Sequence, residues 1–372
     1  MIINFLSFHS ILRKKKTGVQ VHDLNILQSL ITLGYDVRIF DFNQKKTYEP
    51  KELKRCNSPE ILSRVVFSRL PFRLAVHLPV WIVFGKNAPQ KGDICIVDSC
   101  VPKGLKGKKT IAILHDLMPK IYPENYSDTK PYYKYLQQIG FLDQIWANSN
   151  STRSDYNKFF PSAKAKKECV PCCVLEQNIM QMEEKSQKEY WWTNKKYVYY
   201  IGDMRKNKNL KMALCAFFEF CEAFPNAYFV IAGSKSKEFN SLNKLVAQSK
   251  EYANRVYFAG YISDEEKENL ISNSKGLFFI SEYEGFGIPI VEAFLKGVPV
   301  ITSNCSSMKE IADGVAVLVN PYDKESIVSG LKKIFAENQE WEKSIKQLGF
   351  ERAMCYNQQS QMRIIEDILK RI

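Results

Sequence analysis

The chain has 372 residues, which at roughly 100–200 residues per domain points to two domains. Hydrophobic residues make up 45% and charged residues 25%, a balance that excludes a disordered or low-complexity chain. Lys and Arg number 53 against 40 Asp and Glu, a formal charge of +13, so anionic partners are favoured: nucleic acid, anionic lipid or a phosphorylated substrate.

The predicted elements alternate along the first half. Ile2–Phe8 reads as a short buried strand, followed by a polar loop from Ser10 to Gly18. Val21–Leu33 carries apolar residues at helical spacing (Val21, Leu24, Leu27, Leu30, Ile31) and stops at Gly34. Tyr35–Phe42, Asp93–Val97, Thr110–Leu114 and Gln144–Ala147 read as strands. Between them, Arg64 to Lys86 mixes Arg64, Arg69, Arg73 and Lys86 with apolar residues and Trp81. It reads either as a basic amphipathic surface able to touch anionic lipid headgroups or as a buried helix with flanking charges.

The pattern restarts after Glu168–Val174 and an irregular stretch, Leu175 to Lys196, taken as the linker region. Tyr197–Ile201, Ala227–Ala232, Val256–Ala259, Gly276–Ile280 and Val298–Thr302 read as strands, Leu210–Phe224 as a helix, and Ser344–Ile372 as helical. Such alternation marks doubly wound parallel sheets. The expected architecture is α/β, two Rossmann-like domains facing a cleft, with divisions at 1–180, 181–345 and 346–372.

Ten cysteines scatter without framework spacing, as suits a reducing compartment. The single C-x-x-C, in Cys169-Val170-Pro171-Cys172-Cys173, has no second half to complete a zinc site and is read as structural thiols. The apolar start, Met1 to His9, is short, and the basic run Arg13–Lys16 follows it instead of preceding it, so no secretory signal is expected. The longest apolar stretch, Leu74 to Phe84, holds His77 and Pro79 and is about half the ~20 residues of a spanning helix. A cytoplasmic protein, free or at the inner face of the cell membrane, is expected.

The segment richest in chemistry runs from Ser281 to Ala293. A strand enters a Gly-x-Gly turn at Gly285-Phe286-Gly287, and Ile288-Pro289 then opens a helix. The glycines let backbone approach a ligand closely. The helix start offers N–H groups to an anion such as a diphosphate. Glu284 and Glu292, eight apart, place carboxylates before the turn and within the first helical turn, where both could accept hydroxyls of one ligand. The bland alternative makes Glu292 a helix-dipole partner and Glu284 a solvated loop residue.

This segment resembles the signature of the family 4 glycosyltransferases, E-G-F-G-x-P-x-x-E-A, written here Glu284-Gly285-Phe286-Gly287-Ile288-Pro289-Ile290-Val291-Glu292-Ala293. The resemblance continues through Val298–Ile301, Ser306-Ser307 and Asn320–Asp323. It implies the GT-B fold, a nucleotide-diphosphate-sugar donor and retention of anomeric configuration. It implies contact with the donor sugar by Glu284 and with the ribose by Glu292. It also implies a basic pair after an earlier strand, in Tyr200-Ile201-Gly202-Asp203-Met204-Arg205-Lys206-Asn207-Lys208. Lys208 falls at the family's lysine. The family's arginine position is Asp203 here, and Arg205 is the substitute candidate. Both cations suit a diphosphate because neither titrates near neutral pH.

The same resemblance places the base near the backbone after Gly260, at Tyr261 and Ile262, and gives Gly18 to a glycine loop near phosphate or acceptor; a plain helix-start turn is the alternative for Gly18. His115, just past a strand end in Ile113-Leu114-His115-Asp116-Leu117, falls near the donor sugar, with a hydrogen-bonded structural histidine as its alternative. Asp116 could orient that ring or cap the next turn. Tyr122-Pro123-Glu124 is expected on the acceptor side, the first domain is the acceptor domain, and the last helix is expected to pack back on it. Ala147–Thr152 reads mostly as an N-cap cluster.

No Walker motif, H-E-x-x-H or D-x-D occurs, and no cofactor or metal is expected. The expected catalytic set is His115, Arg205, Lys208 and Glu284, without a protein nucleophile. The donor-binding set is Gly18, Tyr261, Ile262, Gly285, Phe286, Gly287, Ile288 and Glu292. The expected partners are a GDP-mannose-like donor, a glycan or lipid-linked acceptor in bacterial-type surface polysaccharide synthesis, and anionic membrane, with no nucleic acid. The rival readings are another GT-B enzyme (an epimerase or a phosphorylase) and a non-catalytic nucleotide- or sugar-binding protein.

Overall fold

The structure is a computed structural model and describes residues 1–8, 18–43, 59–90, 93–105, 107–174, 189–336 and 338–372. The polar loop before Gly18, with Thr17 and Arg13–Lys16, lies outside the described residues, as does most of the expected linker, 175–188.

The chain divides into two units, one of Met1–Cys173 with Gln358–Ile372, the other of Val174–Asn357. The return to the first unit thus starts at 358. Residues 346–354, assigned by the sequence to the closing segment, continue the helix Gln339–Met354, which packs on the helix Ile288–Leu295 inside the second unit. Gly349 allows this approach: a Cβ there would lie 2.8 Å from Phe294 Cδ1. Only the helix Gln358–Lys370 packs on Gly18–Thr32.

The first unit is a seven-stranded sheet: β1 (Ile2–Ser7), β2 (Asp36–Asp41), β3 (Val65–Phe67), β4 (Ile94–Val97), β5 (Lys109–Leu114), β6 (Gln144–Ala147) and β7 (Lys166–Cys169). Its order is β3-β2-β1-β4-β5-β6-β7, every pair parallel. Alternate residues face opposite sides. Ile3, Phe5, Ile94, Ile96, Ile111, Ile113 and Trp146 pack with Ile26, Leu27 and Leu30 of Gly18–Thr32 and with Ile365 and Ile368. Leu6, Val97, Ala112 and Leu114 pack on the other side with Tyr135, Leu136 and Ile139. Burial on both faces explains why these strands read as continuous apolar runs.

The second unit repeats the winding with β8 (Lys196–Ile201), β9 (Ala227–Ala232), β10 (Val256–Gly260), β11 (Gly276–Phe279), β12 (Val300–Ser303) and β13 (Val317–Val319), in the order β10-β9-β8-β11-β12-β13. In each sheet the order reverses beside the first strand, between β1 and β4 and between β8 and β11. Ligands of open α/β sheets bind at such switch points, beyond the carboxyl ends of the strands. β12 starts two residues later than predicted because Val298 N–H still donates to Ala293 O (2.9 Å), closing the previous helix through Gly297.

The segment 64–86 is not one helix. After β3 it forms two short helices, Phe72–Ala75 and Val80–Phe84, each opening directly after a proline, Pro71 and Pro79. Ala75, Val80, Val83 and Phe84 are buried, whereas Phe72, Leu74, Trp81 and Ile82 are exposed beside exposed Arg69, Arg73 and Lys86. Among the described residues no helix is long and apolar enough to cross a membrane.

Candidate functional site

The loops after β8 and β11 meet at the switch point of the second sheet. Gly202 and Gly233, at φ 152° and 134°, follow β8 and β9; a Cβ on Gly233 would lie 1.7 Å from Gly202 O, so only glycine allows the two turns to close. The chain then makes a 3₁₀ turn, Lys206–Lys208, and reverses at Asn209, whose φ is 56° and whose Nδ2 donates to Pro321 O at 2.7 Å. This reversal turns Lys208 inward. Its Nζ lies 2.6 Å from Glu284 Oε1 and 5.7 Å from the centre of the Phe279 ring, and both ends of the ion pair are buried. Asn207 joins the two loops: its Nδ2 donates to Tyr283 O (3.2 Å), and its carbonyl accepts Glu282 N–H (2.8 Å).

Hydroxyls at the ends of β12 and the next helix fix the loop Ser281–Gly287 from its other side. Ser303 Oγ donates to Ser281 O (2.6 Å), and Ser306 Oγ donates to Glu284 O (2.7 Å). Ser307 Oγ lies 2.9 Å from Glu284 O and 2.5 Å from Phe286 O. Gly287, at φ 125°, then starts the helix Ile288–Leu295 with Pro289 as its second residue. Gly285 and Phe286 are buried, and Phe286 packs edge-on against Tyr356 with centroids 5.3 Å apart.

Glu292 is the fifth helical residue, past the first turn where the sequence placed it, so the helix-dipole alternative falls away. Its Oε1 takes Lys267 Nζ at 2.6 Å. Glu284 is likewise no solvated loop residue. The two glutamates therefore anchor separate ion pairs in one unit.

Arg205 grips the residue that stands where an arginine was expected: its Nε and Nη2 lie 2.9 and 2.8 Å from Asp203 Oδ2. Burial opposes the charge of Asp203, but Lys208 and then Arg205 outweigh it and hold the carboxyl below its ordinary range. Tyr200 donates to Asp203 O (2.5 Å), and burial, then Asp203 and Glu284, push its hydroxyl well above the usual tyrosine value. Asp203, Arg205, Lys208 and Glu284 thus form one electrostatic cluster of two anions and two cations. Tyr261 and Ile262 follow Gly260 (φ 71°) at the end of β10, Tyr261 exposed and Ile262 half-buried.

In the first unit, Gly18 is the exposed first residue of Gly18–Thr32. His115 is buried past the end of β5, its Nε2 3.1 Å from Asp23 Oδ1 and its Nδ1 3.3 Å from His22 Nδ1. Burial disfavours the charged ring, yet Asp23, Asp98 and Asp116 together raise its pKa. Asp116 is a cap: its Oδ1 accepts Met118 N–H at 2.7 Å. The ring's ion-pair partner is Asp23, five residues into the first helix. Ser149 caps Asn150–Phe159 by accepting Thr152 N–H. Among the described residues no three His, Cys, Asp or Glu side chains gather so as to hold a metal ion.

Arg205, Lys208 and Glu284 therefore come together, with the turn Gly285–Ile288 next to them in the chain. Reading the sequence missed Asp23, His22, Asn207 and Lys267. It noted Ser306-Ser307 without a role. Their contacts reach partners 21 to 148 residues away, which local spacing does not reveal; for the serines, the signal was the family resemblance that runs through them.

Residues 181–351 match the family model described as Glycosyl transferases group 1. O-antigen chain mannosyltransferase B of Escherichia coli is 31% identical over 135 residues, 35% of this chain and 34% of that protein. O-antigen chain mannosyltransferase RfbU of Salmonella typhimurium is 26% identical over 347 residues, 90% of each chain. The solved structure of a sucrose-phosphate synthase from Thermosynechococcus elongatus superposes with a TM-score of 0.75 at 16% identity, covering 100% of this chain and 98% of that one.

Proposed function

We propose that this chain, which has the GT-B fold and whose second unit matches the group 1 family model, is a glycosyltransferase that transfers a hexosyl group, mannosyl first among candidates, from a nucleoside-diphosphate sugar to a glycan or lipid-linked glycan acceptor with retention. The observation that carries the reading is the buried Lys208–Glu284 pair spanning β8 and β11. In the free protein each satisfies the other. Donor binding exchanges partners: Lys208 and Arg205 turn to the diphosphate, and Glu284 accepts sugar hydroxyls. The N–H groups opening Ile288–Leu295 face the same phosphates, Glu292 takes the ribose, and the backbone at Tyr261 and Ile262 takes the base. Gly18 and His115, both in the first unit, are assigned to substrate on the family resemblance.

In the chemical step the bond from the anomeric carbon to the diphosphate oxygen breaks. The acceptor oxygen bonds to the same face of that carbon, and its proton passes to the departing phosphate oxygen. Lys208 and Arg205 stabilise the charge that develops there. These cations supply what the leaving group needs, so we expect turnover to persist in EDTA.

The mannosyl assignment draws on the O-antigen mannosyltransferase relatives. Their names speak of the O-antigen chain, which favours surface polysaccharide synthesis; the inner face of the cell membrane, with a lipid-linked acceptor, is our placement of it. Phe72, Leu74, Trp81 and Ile82 beside Arg69, Arg73 and Lys86 suit anionic headgroups with an apolar layer below.

A panel of radiolabelled nucleotide sugars with and without a glycan acceptor tests this. Acceptor-dependent transfer of mannose from GDP-mannose, abolished by Lys208→Ala, supports it. Conversion of donor alone, or a requirement for inorganic phosphate, would replace it with an epimerase or a phosphorylase.

A further inference from the structure

On the face of the first sheet that packs against Gly18–Thr32, the apolar residues give way to polar ones at the carboxyl ends of four strands. Phe5, Ile96, Ile113 and Trp146 belong to that face, and two residues further along their strands stand Ser7, Asp98, His115 and Asn148, all buried. β1, β4, β5 and β6 are consecutive neighbours; continuing their register, Ser7 stands level with Asp98 and His115 level with Asn148, the second pair two residues further along, so the four form a stepped polar edge at the switch point. His22 and Asp23 lie over it, both fully buried. Buried charges are costly unless paired, and a purely structural core would replace them with apolar side chains.

The contacts determine the protons. His22 Nε2 lies 3.2 Å from Val170 O, which can only accept, so this nitrogen carries the hydrogen. His22 is neutral, since burial and then His115 lower its pKa to about 3. Its Nδ1 is therefore a lone pair, and His115 Nδ1, 3.3 Å away, must be the donor. At its other end His115 Nε2 meets Asp23 Oδ1 at 3.1 Å, where a lone pair would face a carboxylate. That nitrogen is protonated too, and His115 is an imidazolium.

We infer that His115 serves transfer as a cation and not as a proton acceptor, and that Asp23 and His22 are the positioning residues that set this state. The inference rests on the glycosyltransferase reading with His115 in its site. A ring protonated on both nitrogens has no lone pair with which to take a proton; it acts by its charge on a phosphorylated substrate. The other titratable groups around it fit this assignment. Asp98, after β4, accepts Phe8 N–H through both oxygens at 3.1 Å, and Asp116 is held by Met118. Both carboxylates favour the charged ring. Tyr135 donates to Ile113 O, and burial keeps the Cys172 thiol protonated.

Histidine ring NMR across pH 5–9, together with the pH dependence of transfer, tests the inference on the full chain. The His115 ring should titrate above the ordinary histidine value in the native protein and lower in Asp23→Asn and in His22→Phe. In Asp23→Asn, kcat should fall about tenfold by pH 8 and recover toward pH 6, as the ring regains its proton, with KM little changed and with rescue by Asp23→Glu. A native ring titrating near 6.5, a titration unmoved in both variants, or a lowered titration without change in the pH profile would each overturn it. Absence of transfer by the native protein would count against the glycosyltransferase substrate reading, while the ring titration would still judge the charge assignment.

Discussion

Lys208 Nζ and Glu284 Oε1 lie 2.6 Å apart and are buried, on loops from two neighbouring strands whose connections leave the sheet in opposite directions. Such a pair is a poor investment for stability alone, since desolvation consumes most of its Coulombic gain. Its place at the switch point suits the proposed function, in which a diphosphate and a sugar would separate the cation from the carboxylate.

Single and double substitutions distinguish the two roles. Lys208→Met should cut turnover about 10²–10³-fold and lower stability by about 3 kcal/mol, because Glu284 is left buried and unpaired. Lys208→Met combined with Glu284→Gln should restore most of the stability and none of the activity. Urea denaturation beside a transfer assay measures both; recovery of activity in the double variant would contradict the assignment.

Ser307→Ala removes the hydroxyl within reach of Glu284 O and Phe286 O. The loss should be about 1–2 kcal/mol of stability, with KM for the donor raised by the loosened turn. Calorimetric unfolding and donor titration read the two effects; an unchanged donor KM would show that the serine does not hold the binding turn.

Gly233→Ala should be among the most damaging changes in the second unit. The new Cβ meets the backbone oxygen of Gly202, at a φ of 134° that a side chain rarely adopts, and the cost should reach about 3 kcal/mol or more. Soluble yield and thermal unfolding check it, and a Tm within a degree of the native value would contradict it.

The two buried histidines predict opposite pH slopes. His22 has a pKa lowered to about 3, so the unfolded chain takes up a proton there that the folded chain refuses. Stability from this group is full above about 6.5 and is lost as pH falls, on the order of 2 kcal/mol by pH 5. His115 is raised, so its contribution is full below about 6.5 and is lost as pH rises through the folded value. Stability should therefore peak near pH 6.5, and His22→Gln should flatten the acid side between pH 5 and 6.5. Equal slopes in the two proteins would contradict this.

Much of the architecture was legible because its signals are local. The apolar runs at Gln144–Ala147 and Ala227–Ala232 match the observed strands residue for residue, since strands buried on both faces admit little else. β3 and β13, three residues each, are too short for periodicity to register. In segment 64–86 the buried-helix alternative fails because Pro71 and Pro79 open two separate helical turns. At the candidate site, Glu284, Lys208 and the glycine turn carry local motifs and could be singled out from the sequence. Asp203 was noticed only as a departure; its grip on Arg205 is a side-chain geometry that spacing cannot express. Asp23 sits within an ordinary helical pattern, and only the fold brings it to His115.

The most direct measurement is isothermal titration of GDP-mannose, and of GDP alone, into the native protein and into Lys208→Ala and Glu292→Ala. The account predicts that the native chain binds both ligands, that Lys208→Ala weakens both through the diphosphate, and that Glu292→Ala weakens both through the ribose. Undiminished binding to both variants, with transfer intact, would contradict it.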